Sequence, residues 1–372
     1  MSRRASDFAS WLVCVGFIAG CTRAPTVDLC TPDDGLKAAL AGGALHAEVR
    51  AADGTALAAA DATAVDRASQ LQLGQAEEGE WIVLEAVDSD AVPLAYGAAR
   101  IHDRAACVCM SRMSWYAYAT WQDSAGAFYD GKPVGFFVHD GKQRAPAVDP
   151  RLPLTLDHAR VQAGDTLRAT TQYGNDATAA LDVRALEVLA RPPGATHATG
   201  LVRDFSAVPV GNVAAGATVS VDSSRTFAAS DAAGDWAVFT RLTDALGVVH
   251  DGPETTFTVG GADTTALVAT APPQLNAAWL SPLDDLHVSA AYENPGTTPV
   301  TLEQLVLTAR PPGGSNAGGP FDDLSPRVGV TTVGAGQQLD AAGDRMVTLA
   351  DDPCAGMICV VSGGGCKLSA SP

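Results

Sequence analysis

The chain is poor in aromatic residues (6%), poor in basic residues, and without an apolar run long enough to span a bilayer. Each shortage excludes something. Lys and Arg number 24 against 42 Asp and Glu, giving a formal net charge of −18, and no basic patch interrupts the acidic background. A chain so charged repels nucleic acid. The charge serves solubility or, on a sharper reading, a cation-binding surface. Catalytic motifs are missing as well: there is no Gly-x-Ser-x-Gly elbow, no His-Glu-x-x-His, no Walker loop and no dinucleotide fingerprint. No catalytic residue, cofactor or metal ligand is therefore assigned, and the chain is not expected to be an enzyme.

What is there is Gly (37), Pro (22) and a 47% hydrophobic fraction spread over 372 residues, enough for two or three domains. That mixture suits many short strands joined by tight turns.

The first 20 residues read as an export signal. Arg3 and Arg4 precede the apolar run Trp11 to Gly20, which is too short to cross a membrane. It ends in Ile18-Ala19-Gly20-Cys21, which resembles the bacterial lipobox. The resemblance implies acylation of Cys21, whose thiol is the nucleophile, and a lipid anchor without a spanning helix. Thr22 rather than Asp follows the cysteine, which in the Gram-negative sorting pattern implies the outer membrane or cell surface. The alternative is an ordinary cleaved signal with an incidental cysteine.

An internal repeat organises the remainder. Leu186-Glu-Val-Leu-Ala-Arg-Pro-Pro-Gly194 reappears as Leu305-Val-Leu-Thr-Ala-Arg-Pro-Pro-Gly313, at an offset of 119. Tyr173 and Asn175 recur as Tyr292 and Asn294 at the same offset. Upstream, WYAYATWQDSAGAFYDGKPVGFFV (115–138) aligns without gaps to WAVFTRLTDALGVVHDGPETTFTV (236–259), placing Trp115 over Trp236, Asp123 over Asp244, Gly126 over Gly247 and Tyr129 over His250. Strands bounded by Gly-Asn, Pro-Pro-Gly and Asp-Gly turns give about seven short strands in about 100 residues, the pattern of an antiparallel β-sandwich. The unit resembles the Ig-like or fibronectin-III-like repeats of bacterial surface proteins, a likeness specific for architecture and weak for function.

The expected fold is all-β: tandem antiparallel Ig-like sandwiches behind a lipoprotein signal peptide. The segments are a signal (1–20), a lipidated linker (21–35), a small sandwich (36–110), an aromatic hairpin and linker (111–148), repeat 1 (149–260), an incomplete repeat 2 (272–349) and a cysteine-bearing tail (350–372). The front sandwich resembles prealbumin-like modules; its strand Trp81 to Val87 is apolar on both faces and should be buried on both. The hairpin 115–138 is expected to add to this front module while the tail caps repeat 2. Exchange, with 115–138 completing repeat 2, is an alternative, as is a recombined gene without fold logic.

Cys30, Cys107, Cys109, Cys354, Cys359 and Cys366 form an even set in an exported chain, which favours disulfides over a thiolate metal site. Cys107 and Cys109 share a strand face and are poorly placed to bond each other. Seven histidines (46, 102, 139, 158, 197, 250, 287) are scattered, and His250 looks structural. Asp322-Asp323 reads as a solvated loop pair or a weak Ca²⁺ site.

In the aromatic stretch, Trp115 and Trp121 fall on one strand face and read as core; Tyr116 and Tyr118 fall on the other, closer to the surface, where sheet packing is the first reading and a ligand platform the alternative. The functional expectation is a non-catalytic surface lipoprotein for adhesion, spacing or envelope assembly, with the membrane, a polysaccharide or an envelope protein as partner. The alternative is an accessory or truncated part of a carbohydrate-active enzyme.

Overall fold

The structure, a computed structural model, describes residues 26–32, 42–62, 77–102, 105–112, 114–139, 144–206, 208–261, 265–310, 321–348 and 354–361. Among them every regular element is a β-strand, and no helix is long and apolar enough to cross a membrane. The signal segment with Cys21 lies outside the described residues.

The first repeat occupies residues 148–259. Val148–Leu156, Thr166–Asn175 and Thr218–Thr226 form one sheet. Leu181–Arg191, Gly234–Asp244 and Thr255–Val259 form the other. Thr166–Asn175 and Thr218–Thr226 alternate outward and buried residues, as strands with one wet face do. Their inner side chains, among them Leu167, Tyr173 and Val221, meet Trp236, Val238 and Phe257 of the facing sheet. Leu181–Arg191 stops at Pro192-Pro193, where no backbone N–H is left to continue the ladder.

A second sandwich is assembled from two distant stretches. Asp285–Glu293 and Gln338–Met346 pair along their whole length on one side. On the other, Val300–Arg310 pairs antiparallel with Ser114–Asp123, from Leu302 opposite Asp123 to Arg310 opposite Tyr116. Trp115, Trp121 and Phe136 enter one core with Leu280, Val288, Leu305 and Leu324. The register reproduces the first repeat: Leu186 faces Leu242 and Arg191 faces Ala237 there, as Leu305 faces Trp121 and Arg310 faces Tyr116 here. The hairpin thus closes the sandwich opened by 272–349, which corrects the expected attachment to the front module. The reason is complementarity: Val300–Arg310 keeps the edge and the apolar face that a Trp hairpin fits.

The tail also goes elsewhere than expected. Cys354–Val361 pairs with Ala105–Arg112 on one side and with Thr26–Pro32 on the other, so it joins the front module. It does not cap the second sandwich, whose edge the hairpin already fills. Modules are therefore nested. The front module is built from both flanks of the chain, the second sandwich lies within it, and the first repeat is innermost.

The front sheet runs, in order, through Thr26–Pro32, Cys354–Val361, Ala105–Arg112, Pro93–Arg100, Trp81–Val87, Ala44–Arg50 and Ala56–Ala62. Among the described residues, Ala95 opposite Arg112 and Tyr96 opposite Ser111 join Pro93–Arg100 to Ala105–Arg112. Beyond that point the sheet folds over itself; a Cβ on Gly97 would lie 2.4 Å from the Cys109 carbonyl, so the crossing needs glycine. Trp81–Val87 is buried throughout. Ile82, Leu84 and Ala86 enter the fold-over core, while Trp81 and Val83 face outward against Ala98 and Ala145. That outward face also carries Glu85, and it is covered by the other modules.

Candidate functional site: a buried polar junction

Three modules meet around an aromatic centre. Trp279 packs against Tyr96 of the front sheet at 5.7 Å and Phe137 of the hairpin at 4.7 Å between ring centroids. The Arg144 guanidinium lies 5.0 Å from its ring. Val134–Val138 ties the sandwiches together. It pairs with Ser114–Asp123, runs parallel to Trp279–Leu280 and meets Thr255 of the first repeat.

Two clusters of ionisable side chains flank this centre. The first is built on His197, in the loop after Pro192-Pro193. Its side chain is 1% exposed; Nδ1 lies 2.8 Å from Asp251 and Nε2 2.8 Å from Glu254. Two carboxylates on two ring nitrogens require both to carry protons, so the ring is an imidazolium. Burial alone would lower its pKa; the two hydrogen-bonded carboxylates outweigh that and raise it. Arg191 forks onto Glu254 through two 2.8 Å bonds, and Arg241 forks onto Asp251 through two 2.6 Å bonds. Burial pushes the Glu254 carboxyl up, but His197 and Arg191 bring it down to about 2. The ring stacks on Phe239 at 4.1 Å, and the His197 backbone N–H donates to the Asp90 carbonyl of the front module at 2.9 Å.

The second cluster joins the outward face of the front sheet to the tip of the first repeat. Neighbouring strands Ala44–Arg50 and Trp81–Val87 present Glu48 and Glu85, and the Gly234–Asp244 and Val249–Asp251 turn presents Asp244 and His250. Arg50 donates to Glu48 at 2.7 Å, and His250 lies 3.1 Å from Glu48 and 3.3 Å from Glu85. Burial opposes the imidazolium, but Glu48 and Glu85 raise the His250 pKa to about 10. Burial also opposes ionisation of Glu48, and Arg50 and His250 overcome it, holding the carboxyl below its usual range. Arg144 forks onto Asp149 nearby.

Of the residues singled out in the sequence, Tyr118 is 3% exposed, and Tyr116 borders the junction beside His197 and Glu254. Burial, then Glu254, pushes the Tyr116 phenol up to about 12. Arg310 lies over both rings, 5.8 Å from Tyr116 and 5.1 Å from Tyr118. A stacking platform needs open ring faces, so the ligand-platform expectation for this pair is corrected: Tyr118 is buried beside Arg310, and Tyr116 is held at the module junction. Cys109 is disulfide-bonded, to a cysteine whose side chain lies outside the described residues. Register sets Cys107 opposite Cys359 and Cys109 opposite Met357, which itself faces Cys30. Cys354 begins the tail strand, and Cys366 lies outside the described residues. Asp322 and Asp323 belong to strand Phe321–Val328 rather than to a loop, and their side chains lie outside the described residues.

No residue spacing in the sequence marks a metal ligand, and the seven histidines are scattered. The structure gathers Glu48, Asp244 and His250 within ligand range of one another. The only sequence signal for this set was the exchange of Tyr129 for His250 between hairpin copies.

No family model matches the chain, and no curated protein matches it. Solved structures similar to parts of it include the sporulation control protein Spo0M from Bacillus subtilis, at 9% identity and a TM-score of 0.25, over 50% of this chain and 90% of that one. A tetra-tandem repeat from the extending region of a large adhesion protein matches at 14% identity and a TM-score of 0.18, over 88% of this chain and 91% of that one. Elastase-activated Escherichia coli alpha-2-macroglobulin matches at 12% identity and a TM-score of 0.20, over 92% of this chain and 41% of that one. Likenesses at this level assign no function.

Proposed function

We propose that the protein is a non-catalytic, lipid-anchored surface component in which three β-sandwich modules are locked into one rigid spacer. The observation that carries this reading is the junction. It crosses module boundaries where His250 of the first repeat meets Glu48 and Glu85 of the front sheet, and where the His197 backbone N–H reaches the Asp90 carbonyl. Ion pairs buried this way fix relative orientation more than they add stability. The lipobox-like Ile18-Ala19-Gly20-Cys21 supplies the anchor, only a few residues before the Thr26–Pro32 strand of the front module. The front module would then lie nearest the membrane, with the two sandwiches projecting from it.

Labelled palmitate fed to producing cells tests the anchor: label should enter the wild-type chain and be lost from Cys21→Ser. Label retained in that variant, or a wild-type chain free of the membrane fraction, refutes it. Small-angle scattering of the soluble portion tests rigidity, and a profile that only an ensemble of independently moving modules fits would refute the spacer.

A further inference from the structure

We infer that Glu48, Asp244 and His250 form a binding site for a divalent cation of the zinc class, and that the ion fastens the front module to the first repeat. One carboxylate oxygen each of Glu48 and Asp244 and a ring nitrogen of His250 lie within 4.8 Å of one another. Glu48 is 2% and Asp244 8% exposed. Asp244 Oδ2 is buried and accepts no hydrogen bond, while Glu48 Oε1 and His250 Nε2 are buried and meet only as an ion pair without hydrogen-bond geometry. A buried carboxylate oxygen left unsatisfied is costly, and Asp244 Oδ2 is such an atom beside the Glu48–His250 pair. Glu48 Oε1 and His250 Nε2 are 3.1 Å apart. Two ligands on one tetrahedral zinc ion, each at 2.0–2.2 Å, stand roughly 3.4 Å apart.

The remaining atom of each ligand is held in place. Arg50 Nε donates to Glu48 Oε2 at 2.7 Å. Asp244 Oδ1 accepts from the backbone N–H groups of Leu246, Gly247 and Val248 at 2.8–2.9 Å. His250 Nδ1 faces Glu85 Oε2 at 3.3 Å, which leaves Nε2 for the ion. A carboxylate behind the second ring nitrogen is the support that metal-binding histidines use. An imidazole with two carboxylates suits zinc and its borderline neighbours, whereas Ca²⁺ and Mg²⁺ take more oxygens and avoid nitrogen. A cleft lined by Arg50, Thr55, Asp149, Asp244 and His250 supplies an entry path and room for water as a further ligand. Binding displaces the proton on His250 Nε2 to solvent, so one proton leaves as the ion enters.

The other hairpin serves as an internal control. Asp123 caps the equivalent turn, with Oδ1 accepting from Ala125 and Ala127 at 2.9 Å. There Tyr129, at the position of His250, donates its hydroxyl to Asp123 Oδ2 at 3.1 Å. Both hairpins build one turn; the one docked on the front module exchanges the phenol that satisfies the carboxylate for an imidazole that leaves it open. The inference does not depend on the spacer reading.

The test is calorimetric titration of the untagged, chelator-stripped full chain with ZnCl₂, and separately with MgCl₂ and CaCl₂. One zinc per chain, no uptake of the other two at the same concentration, and a raised melting temperature are expected. Asp244→Asn retains an oxygen to cap the turn, and His250→Tyr copies the other hairpin. Each should fold with an unchanged circular dichroism spectrum and bind zinc at least tenfold more weakly. A readout on the wild-type chain alone guards against variants that fail to fold. X-ray absorption at the zinc edge of the loaded wild-type chain should show an imidazole nitrogen together with oxygen ligands at about 2.0–2.2 Å. No zinc uptake, undiminished uptake by folded variants, or a zinc shell without imidazole would overturn the site.

Discussion

The hairpins 115–138 and 236–259 share a sequence pattern and a turn, yet they close different kinds of unit. In both, an aspartate caps a turn that ends in a glycine at positive φ, Gly126 at 86° and Gly247 at 93°. Both insert a tryptophan into a sandwich core. The 236–259 hairpin closes the repeat it follows in the chain. The 115–138 hairpin closes a sandwich whose other half arrives about 150 residues later, after the entire first repeat. A shared local pattern has been placed in a local and a non-local context, which separates what a hairpin encodes from what its edge partner decides.

The sharpest way to break this comparison is through the two tryptophans. Trp115→Ala and Trp236→Ala should each cost about 3–5 kcal/mol. Hydrogen exchange should show the losses in different places: strands 285–346 for Trp115→Ala, strands 148–259 for Trp236→Ala. Loss of protection confined to the front strands 44–100 in Trp115→Ala would refute the exchange. Next come the paired asparagines. Asn175 donates to the Ala179 and Val213 carbonyls and accepts from Ala177; Asn294 donates to Thr298 and Val333 and accepts from Gly296. Replacing either by Ala leaves buried backbone groups unpaired, at about 1–3 kcal/mol, and denaturant melts should show near-equal losses for the two.

A third measurement separates the hairpins by pH, since only the first repeat holds its own hairpin down with an imidazolium. The His197 pKa is raised in the folded protein. Its contribution is therefore complete below the ordinary histidine value near 6.5 and is lost as pH rises through the folded value. Stability of the wild-type chain relative to His197→Gln should fall between neutral and alkaline pH, by at most about 1.4 kcal/mol per pH unit for one proton. A difference that does not change with pH would show that Asp251 and Glu254 do not hold the imidazolium. The smallest effect is expected from Tyr129→Phe, which removes the bond to Asp123 and should cost about 0.5–1.5 kcal/mol by thermal melts. A variant as stable as wild type would show that the phenol does nothing for this turn.

Much of the fold was legible because it rests on local chemistry. The Pro-Pro stops, the Asp and Gly turns, the two-sided burial of Trp81–Val87 and the core face of Trp115 and Trp121 all follow from spacing and residue type. The platform alternative for Tyr116 and Tyr118 failed, and could not be settled from the strand, because a strand's second face is open or covered depending on what packs there. The polar junction was illegible for a similar reason. His197 and His250 each look solitary in sequence, and their partners Glu48, Glu85, Asp251 and Glu254 belong to a spread of carboxylates with no motif spacing.

What the amino-acid sequence by itself determined is the unit: an all-β chain, a sandwich repeat, its turns and its buried tryptophans. All of these depend on interactions over a few residues or on hydrophobic alternation along one strand. Only the tertiary structure decided which edge each strand fills. It sent 115–138 to Val300–Arg310, and Cys354–Val361 to the front sheet beside Thr26–Pro32. Backbone hydrogen bonds at a strand edge are the same for every candidate partner, so the choice falls to register, to the apolar face behind the edge and to which edges remain unfilled. None of these is written in a local stretch of sequence.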